Sequence, residues 1–286
     1  VARARTLASE NLDLPDLLSR IEKFEPTVVT PLAFEHQLIS RARAAKRTIV
    51  LPEGNDDRIL QAAAIVLTKG IANLIILGEP SQLQARAGEL GLDLTGATLM
   101  PIETSEHFER CVAEYAKLRA HKGVTETQAR ETMKDVSYFG TMLVQLGLAD
   151  GMVSGAAHTT AHTIKPAFEF VRTKPGVSVV SSVFLMALAD RVLVYGDCAV
   201  IPEPTTEQLA DIAISSAETA ANFGIEPRVA LLSYSTGDSG AGAEVDKIRA
   251  ATELVKQRAP KLEVEGPIQY DAAVDAAVAK AKLPGS

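Results

Sequence analysis

Cysteine is scarce: Cys111 and Cys198 are the only two in 286 residues. Two thiols cannot staple a chain of this length. That excludes a disulfide-framework protein and predicts a reducing, cytoplasmic setting. Basic charge is also in short supply, with 29 Lys and Arg against 36 Asp and Glu and a net charge of -7. No run of Lys and Arg interleaved with aromatics occurs, so a nucleic-acid partner is not expected. A basic pocket can still sit inside an acidic protein, and an anionic ligand with it. There is no long uncharged apolar stretch and no signal-peptide pattern at the start, so no membrane partner is expected. Internal repeats and low-complexity tracts are lacking too. The first residue is Val1 and the last four are LPGS, so both ends are expected to be cuts.

What is present is apolar and regularly spaced. Hydrophobic residues make up 47% of the chain, enough for a sizeable core. Residues 1–30 are polar and lack core periodicity, and are read as a connector from a preceding segment. From Thr48 the pattern becomes strand, helix, strand. TIVLP (48–52) predicts a buried strand. NDDRILQAAAIVLTKG (55–70) predicts a helix with Asn55 as its cap, acids at Asp56 and Asp57, and Gly70 as its stop. IANLIILG (71–78) is a second strand. Helices follow over 105–123 and over 125–135, where Thr125 and Gln128 have capping-box spacing. ADGMVSG (149–155) is a short strand, and 176–188 and 191–200 read as adjacent strands. A helix over 205–224 carries a second capping box, Thr205 and Gln208. RVALLSYS (228–235), a helix over 243–260, LEVEG (262–266) and a last helix over 271–282 complete the order. This alternation predicts an α/β fold with mostly parallel sheets. Ligands of such sheets sit beyond the carboxyl ends of the strands.

Two strand exits have the composition of anion sites. In LLSYSTGDSGAG (231–242), hydroxyls and glycines lie between a strand and a helix start, where loop amides and the helix dipole favour a negative charge. No GK[ST] follows, so this is not a Walker loop. An ordinary loop with a helix cap explains the same residues equally well. In DGMVSGAAHTTAHTIKP (150–166), Ser154, Thr159, Thr160 and Lys165 could reach an anion. His158 and His162 have the spacing of two metal ligands on a helix face, but no carboxylate stands beside them in sequence. Hydrogen-bonding roles are therefore favoured and no metal is assigned. KLRAHKG (117–123) is a basic helix end of the kind that simply matches the helix dipole. Cys198 reads as packing rather than as a nucleophile.

Taken in order, IVLPEGND (49–56), LRAHKG (118–123), YFGTML (138–143), DGMVSGAAHTTAHTIKP (150–166), KPGVSVVSSVF (174–184), YGDCAVIPEPTTEQLADIAI (195–214), RVALLSYSTGDSGAG (228–242) and EGPIQYDAAV (265–274) resemble bacterial phosphate acetyltransferase over residues 31–286. The resemblance implies an isocitrate/isopropylmalate dehydrogenase-like arrangement of two α/β domains with a cleft between them, 31–175 and 176–286, the second incomplete at its C-terminus. It implies reversible transfer of acetyl between CoA and inorganic phosphate, with acetyl-CoA and acetyl phosphate as the other substrates, no cofactor, and a homodimer or higher homo-oligomer. The family's CoA-contacting arginine falls on Arg119. Its second arginine falls on Lys165, where the charge is kept and the bidentate fork is lost. Ser154, Gly155, His158, Thr159, Thr160, Ser233, Tyr234, Ser235 and Thr236 fall in the substrate-binding loops. The family's catalytic aspartate and phosphate-holding arginine belong to a KPxNDLSRG segment beyond Ser286, so the catalytic residues are unassigned here and the chain alone is expected to be impaired. Asp238 and Asp271 are the nearest internal acids.

Three other readings stay open. Phosphate butyryltransferase shares the fold and loops. A metal- and NAD-dependent decarboxylating dehydrogenase would need clustered metal-binding aspartates, which the sequence lacks. A non-catalytic acetyl-CoA-binding or dimerisation module is the non-enzyme alternative.

Overall fold

The computed structural model describes residues 29–285 together with Asp13 and Asp16, so the expected connector over 1–30 lies almost wholly outside the described residues. The chain divides into two compact units, one of His36–Val180 and one of Ser181–Ser286 with the segment ending at Glu35. A helix, α1 (Pro31–Ala45), runs from the second unit's share of the chain into the first.

The first unit is built on four parallel strands in the order β3-β2-β1-β4, where β1 is Arg47–Leu51, β2 Ala72–Leu77, β3 Thr98–Met100 and β4 Gly151–Met152. The apolar run of β2 is continuous because both faces of the strand are covered. Ile75 and Leu77 join one cluster with Val50, Phe108, Phe139 and Met142. Leu74 and Ile76 point the other way, into a cluster with Leu51, Leu60 and Leu83. Cys111 lies in the first cluster, and burial pushes its thiol up to about 12, which suits packing and not chemistry.

Five α-helices lie between these strands, α2 (Asp57–Lys69), α3 (Pro80–Glu89), α4 (Phe108–Arg119), α5 (Glu126–Met133) and α6 (Val136–Gln145), and α7 (Thr160–Pro166) follows β4. Asp56, rather than the expected Asn55, caps α2: its carboxylate accepts from the Arg58 N–H, and Gly70 closes the helix with φ 63°. The Thr125–Gln128 capping box forms as expected.

The second unit holds two strand pairs. β5 (Val183–Ala187) and β6 (Val192–Gly196) are antiparallel. This pair is the exception in a mostly parallel fold, because the tight turn in which Leu188 N–H donates to the Arg191 carbonyl permits only a hairpin. Residues 176–182 stay outside any strand. β7 (Arg228–Leu232) and β8 (Glu263–Ile268) are parallel, with α8 (Thr206–Asn222) and α9 (Ala243–Arg258) packed on them through Ala210, Ala213, Leu231, Ala251 and Val255. The Thr205–Gln208 box caps α8. The single last helix expected over 271–282 is two, α10 (Tyr270–Val274) and α11 (Ala276–Lys282). Asp275 leaves helical geometry at φ -123° and ψ 115°, and its carboxylate caps the second piece.

Gly54, just beyond β1, has no room for a side chain. A Cβ there would run into the Leu77 carbonyl oxygen and lie 2.8 Å from Ile76 Cγ2. Gly54→Ala is therefore expected to destabilise the protein by about 1–3 kcal/mol through overpacking. An unchanged thermal midpoint would show that the two strand exits are not packed this closely.

Candidate functional site

β1 and β4 are neighbours, so the segments leaving them, PEGND and VSGAAH, emerge side by side. Glu53 lies on the first of these, with only 1% of its side chain exposed. Its carboxylate is gripped by the second. The N–H groups of Gly155 and Ala156 donate to Oε2 at 2.9 and 2.8 Å, and those of Ala157 and His158 donate to Oε1 at 2.8 and 2.9 Å. The His158 ring adds a fifth contact, Nδ1 to Oε1 at 2.7 Å. Consecutive amides converge on one point because Gly155 takes φ 111°, a conformation glycine adopts freely. Burial works to raise the Glu53 pKa, but the donors from Ala157, His158, Ala156 and Gly155 outweigh it and hold the carboxyl at about 2.

His162, one turn further on, is bound as firmly. Its Nε2 meets Asp135 Oδ2 at 2.9 Å and its Nδ1 meets Ser137 Oγ at 3.3 Å. Asp135 is also the cap of α6, accepting from the N–H groups of Ser137 and Tyr138. The rings of His158 and His162 stack with centroids 4.6 Å apart. No carboxylate stands beside these histidines in sequence, yet in the fold each has one, delivered by a distant element. Thr159 caps α7 through its hydroxyl, which accepts from His162 N–H. Arg58 closes the far side of the loop, donating to the Ala156 carbonyl while paired with Asp56.

These segments border a cavity of about 720 Å³ at the carboxyl ends of β1, β2 and β3. Glu53, Asp56, Glu79, Glu103, Lys134 and His158 contribute to its wall. Of the site residues expected from sequence, only His158 lies on it.

The remaining expected residues of the first unit have different surroundings. Thr160 and Lys165 are exposed on α7. Ser154 Oγ is buried and has no hydrogen-bond partner among the described residues. The Gly155 amide donates to Glu53. Arg119 is turned inward, with Nη1 donating to the Glu169 carbonyl at 3.4 Å and Nε 3.8 Å from the Glu169 carboxylate. Tyr115 donates its hydroxyl to the same carboxylate at 2.9 Å, and burial together with that acceptor pushes its pKa to about 12.

In the second unit, the loop after β7 also uses many of its donors internally. The Ser235 and Thr236 amides bond to Ser233 Oγ and Ser239 Oγ, and the Gly237 amide bonds to the Pro267 carbonyl. Thr236 Oγ1 donates to Gln269 Oε1 at 3.2 Å and accepts from the Gln269 N–H at 3.0 Å. Ser233 N–H donates to the Ile268 carbonyl, and Tyr234 stays exposed. Asp271 is paired with Lys282 at 2.7 Å, and the fully exposed Asp238 lies 3.4 Å from Arg249. Among the described residues, no group of three or more His, Cys, Asp or Glu could hold a metal ion.

Sequence reasoning missed Glu53 and Asp135. The one signal for Glu53 was an acid between proline and glycine at the exit of a strand that ends in three apolar residues, where a solvated charge would be out of place.

Comparison with known proteins points in one direction. The model of the family described as phosphate acetyl/butaryl transferase matches residues 33–286. The chain is 54% identical over 283 residues to the phosphate acetyltransferase of Nitratidesulfovibrio vulgaris, covering 99% of this chain and 40% of that protein. It is 55% identical over 253 residues to the phosphate acetyltransferase of Corynebacterium glutamicum, covering 88% and 77%. The chain thus spans well under half the length of some of the curated relatives it matches. Among solved structures, a phosphotransacetylase from Streptococcus pyogenes superposes with TM-score 0.85 at 39% identity, covering 90% of this chain and 78% of that one.

Glu53 ties acid stability to this site. Its carboxyl titrates near 4.5 when unconstrained and at about 2 in the fold, so the stability it contributes is present above pH 4.5 and is lost as pH falls towards 2. Glu53→Gln is expected to cost on the order of 3 kcal/mol at neutral pH, because it replaces an acceptor by an amide facing N–H donors. The gap to the parent protein should narrow between pH 4.5 and 2. Denaturant unfolding across that range checks this, and a gap independent of pH would contradict it.

Proposed function

Because the chain belongs to the phosphate acetyl/butaryl transferase family, we propose that it serves the reversible transfer of acetyl between CoA and inorganic phosphate. The observation that carries this reading is its identity to the Corynebacterium glutamicum phosphate acetyltransferase, most of whose length it covers. In the proposed reaction the CoA thiol gives up its proton and its sulfur attacks the acetyl carbonyl of acetyl phosphate. The carbonyl carbon then releases phosphate, leaving acetyl-CoA. The reverse direction has a phosphate oxygen attack the thioester. Holding two anionic substrates in line, and stabilising the charge that builds on the carbonyl oxygen, supplies most of such a rate gain.

Within this reading Arg119 and Lys165 are the cations for CoA and phosphate. Ser154, Gly155, His158, Thr159 and Thr160 are the proposed substrate-binding residues of the first unit, and Ser233, Tyr234, Ser235 and Thr236 those of the second. Lys165 is exposed and ready for a ligand, whereas Arg119 has to loosen its hold on Glu169 to meet one. The proposed domains are 31–175 and 176–286, working as a cytoplasmic homodimer with no separate cofactor.

The test uses residues 1–286 and a chain extended through the family's KPxNDLSRG segment. CoA binding is followed by calorimetry and thioester formation by its absorbance. Saturable CoA binding by both and acetyl-CoA formation by the extended chain are expected. Arg119→Ala should weaken CoA binding about tenfold, the loss of one charge-assisted contact. Thioester from butyryl phosphate alone would favour the butyryl reading. Binding without turnover in both chains would favour a binding module, and neither binding nor turnover would refute the family activity for this chain.

A further inference from the structure

The two stacked histidines are not equivalent. Both ring nitrogens of His162 face protein groups, Asp135 and Ser137. His158 is committed only at Nδ1; among the described residues its Nε2 has no hydrogen-bond partner, and its side chain, 33% exposed, helps line the 720 Å³ cavity. Glu53 reaches both the ring and the backbone of this residue, and the three amides before it.

We propose that Glu53 is a positioning residue: it is the resident anion of the 155–158 amide nest, and it fixes His158 as the Nδ1–H tautomer with Nε2 presented to the cavity as an acceptor for a protonated group of the substrate. The role assigned to the cavity rests on the functional reading above; the tautomer does not. The physical argument is one of donors and acceptors. An ionised carboxylate only accepts, so the nitrogen 2.7 Å from it must carry a hydrogen. Neutral imidazole has one such hydrogen, which leaves Nε2 with its lone pair. The stacked His162 ring, held at both nitrogens, backs the His158 ring against rotation.

A second consequence concerns anions. Four amides pointing at one spot have the look of a phosphate cradle. Here the spot is filled by a carboxylate belonging to the chain. A phosphoryl group near this loop therefore meets side chains at the rim, such as Thr160 and Lys165, and not the amides of 155–158.

The test is nitrogen NMR of the imidazoles in the intact 286-residue chain, with Glu53→Gln and Glu53→Asp beside it. In the parent protein the His158 Nε2 should show the shift of an unprotonated ring nitrogen and Nδ1 that of a protonated one. Glu53→Gln should turn this into a mixture of tautomers and expose the four amides to fast exchange, while Glu53→Asp should restore at least part of both. In the extended chain, Glu53→Gln should raise KM about tenfold, with a smaller change in kcat, the loss of an oriented hydrogen bond. A parent protein with Nε2–H at His158 would overturn the proposal without any variant. So would His158 signals unchanged in Glu53→Gln. If the tautomer is as stated but the extended chain shows no acyl transfer, the functional reading fails and the positioning role stands.

Discussion

Most of what is distinctive in the first unit follows from one buried carboxylate. Glu53 is held by more than a counter-charge. It is held by backbone dipoles that the fold has already aimed, and this makes its burial tolerable. The contact joins segments 102 to 105 residues apart in sequence, so it fastens the exit of β1 to the exit of β4. The neighbouring constraints act on the same joint. Gly54 lets the β1 exit lie against β2, and Arg58 links the α2 cap to the Ala156 carbonyl. The loop between β4 and α7 is thus a preorganised part, which is what a substrate-positioning element requires.

The same economy of donors appears in the loop after β7. Its serines and threonine cross-bond to one another and to the end of β8, and Ser235 and Thr236 are buried in the process. Both glycine- and hydroxyl-rich loops therefore keep much of their hydrogen-bonding capacity inside the protein. What they offer outward is a set of rim side chains: Thr160 and Lys165 in one unit, Tyr234 in the other. The inward turn of Arg119 onto Glu169 belongs to the same description, a cation kept near a carboxylate of the protein.

The parts of this architecture that depend on local sequence were legible beforehand. The apolar runs at 48–52 and 71–78 became β1 and β2, and both capping boxes formed at the residues whose spacing announced them. The failures share a cause. Asn55 and Asp56 are both good caps, and Asp56 alone also has Arg58 as a charge partner. The strand expected over 176–188 begins only at Val183, because apolar content does not tell where an extended segment starts to pair. The break at Asp275 is invisible to periodicity because the DAAV pattern of 271–274 simply repeats over 275–278. Glu53 and Asp135 escaped notice because their histidines lie 105 and 27 residues away, and no spacing rule connects them. Family motifs point to loops and leave open which atoms within them face a ligand.

The most direct measurement is amide hydrogen exchange at residues 155–158, read site by site at neutral pH in the parent protein and in Glu53→Gln. The account predicts four protected amides in a loop that has no helical or strand bonding of its own, and loss of that protection when the carboxylate is neutralised. Exchange at the rate of an open loop in the parent protein would mean that Glu53 does not occupy the nest, and that the four amides remain available to an external anion.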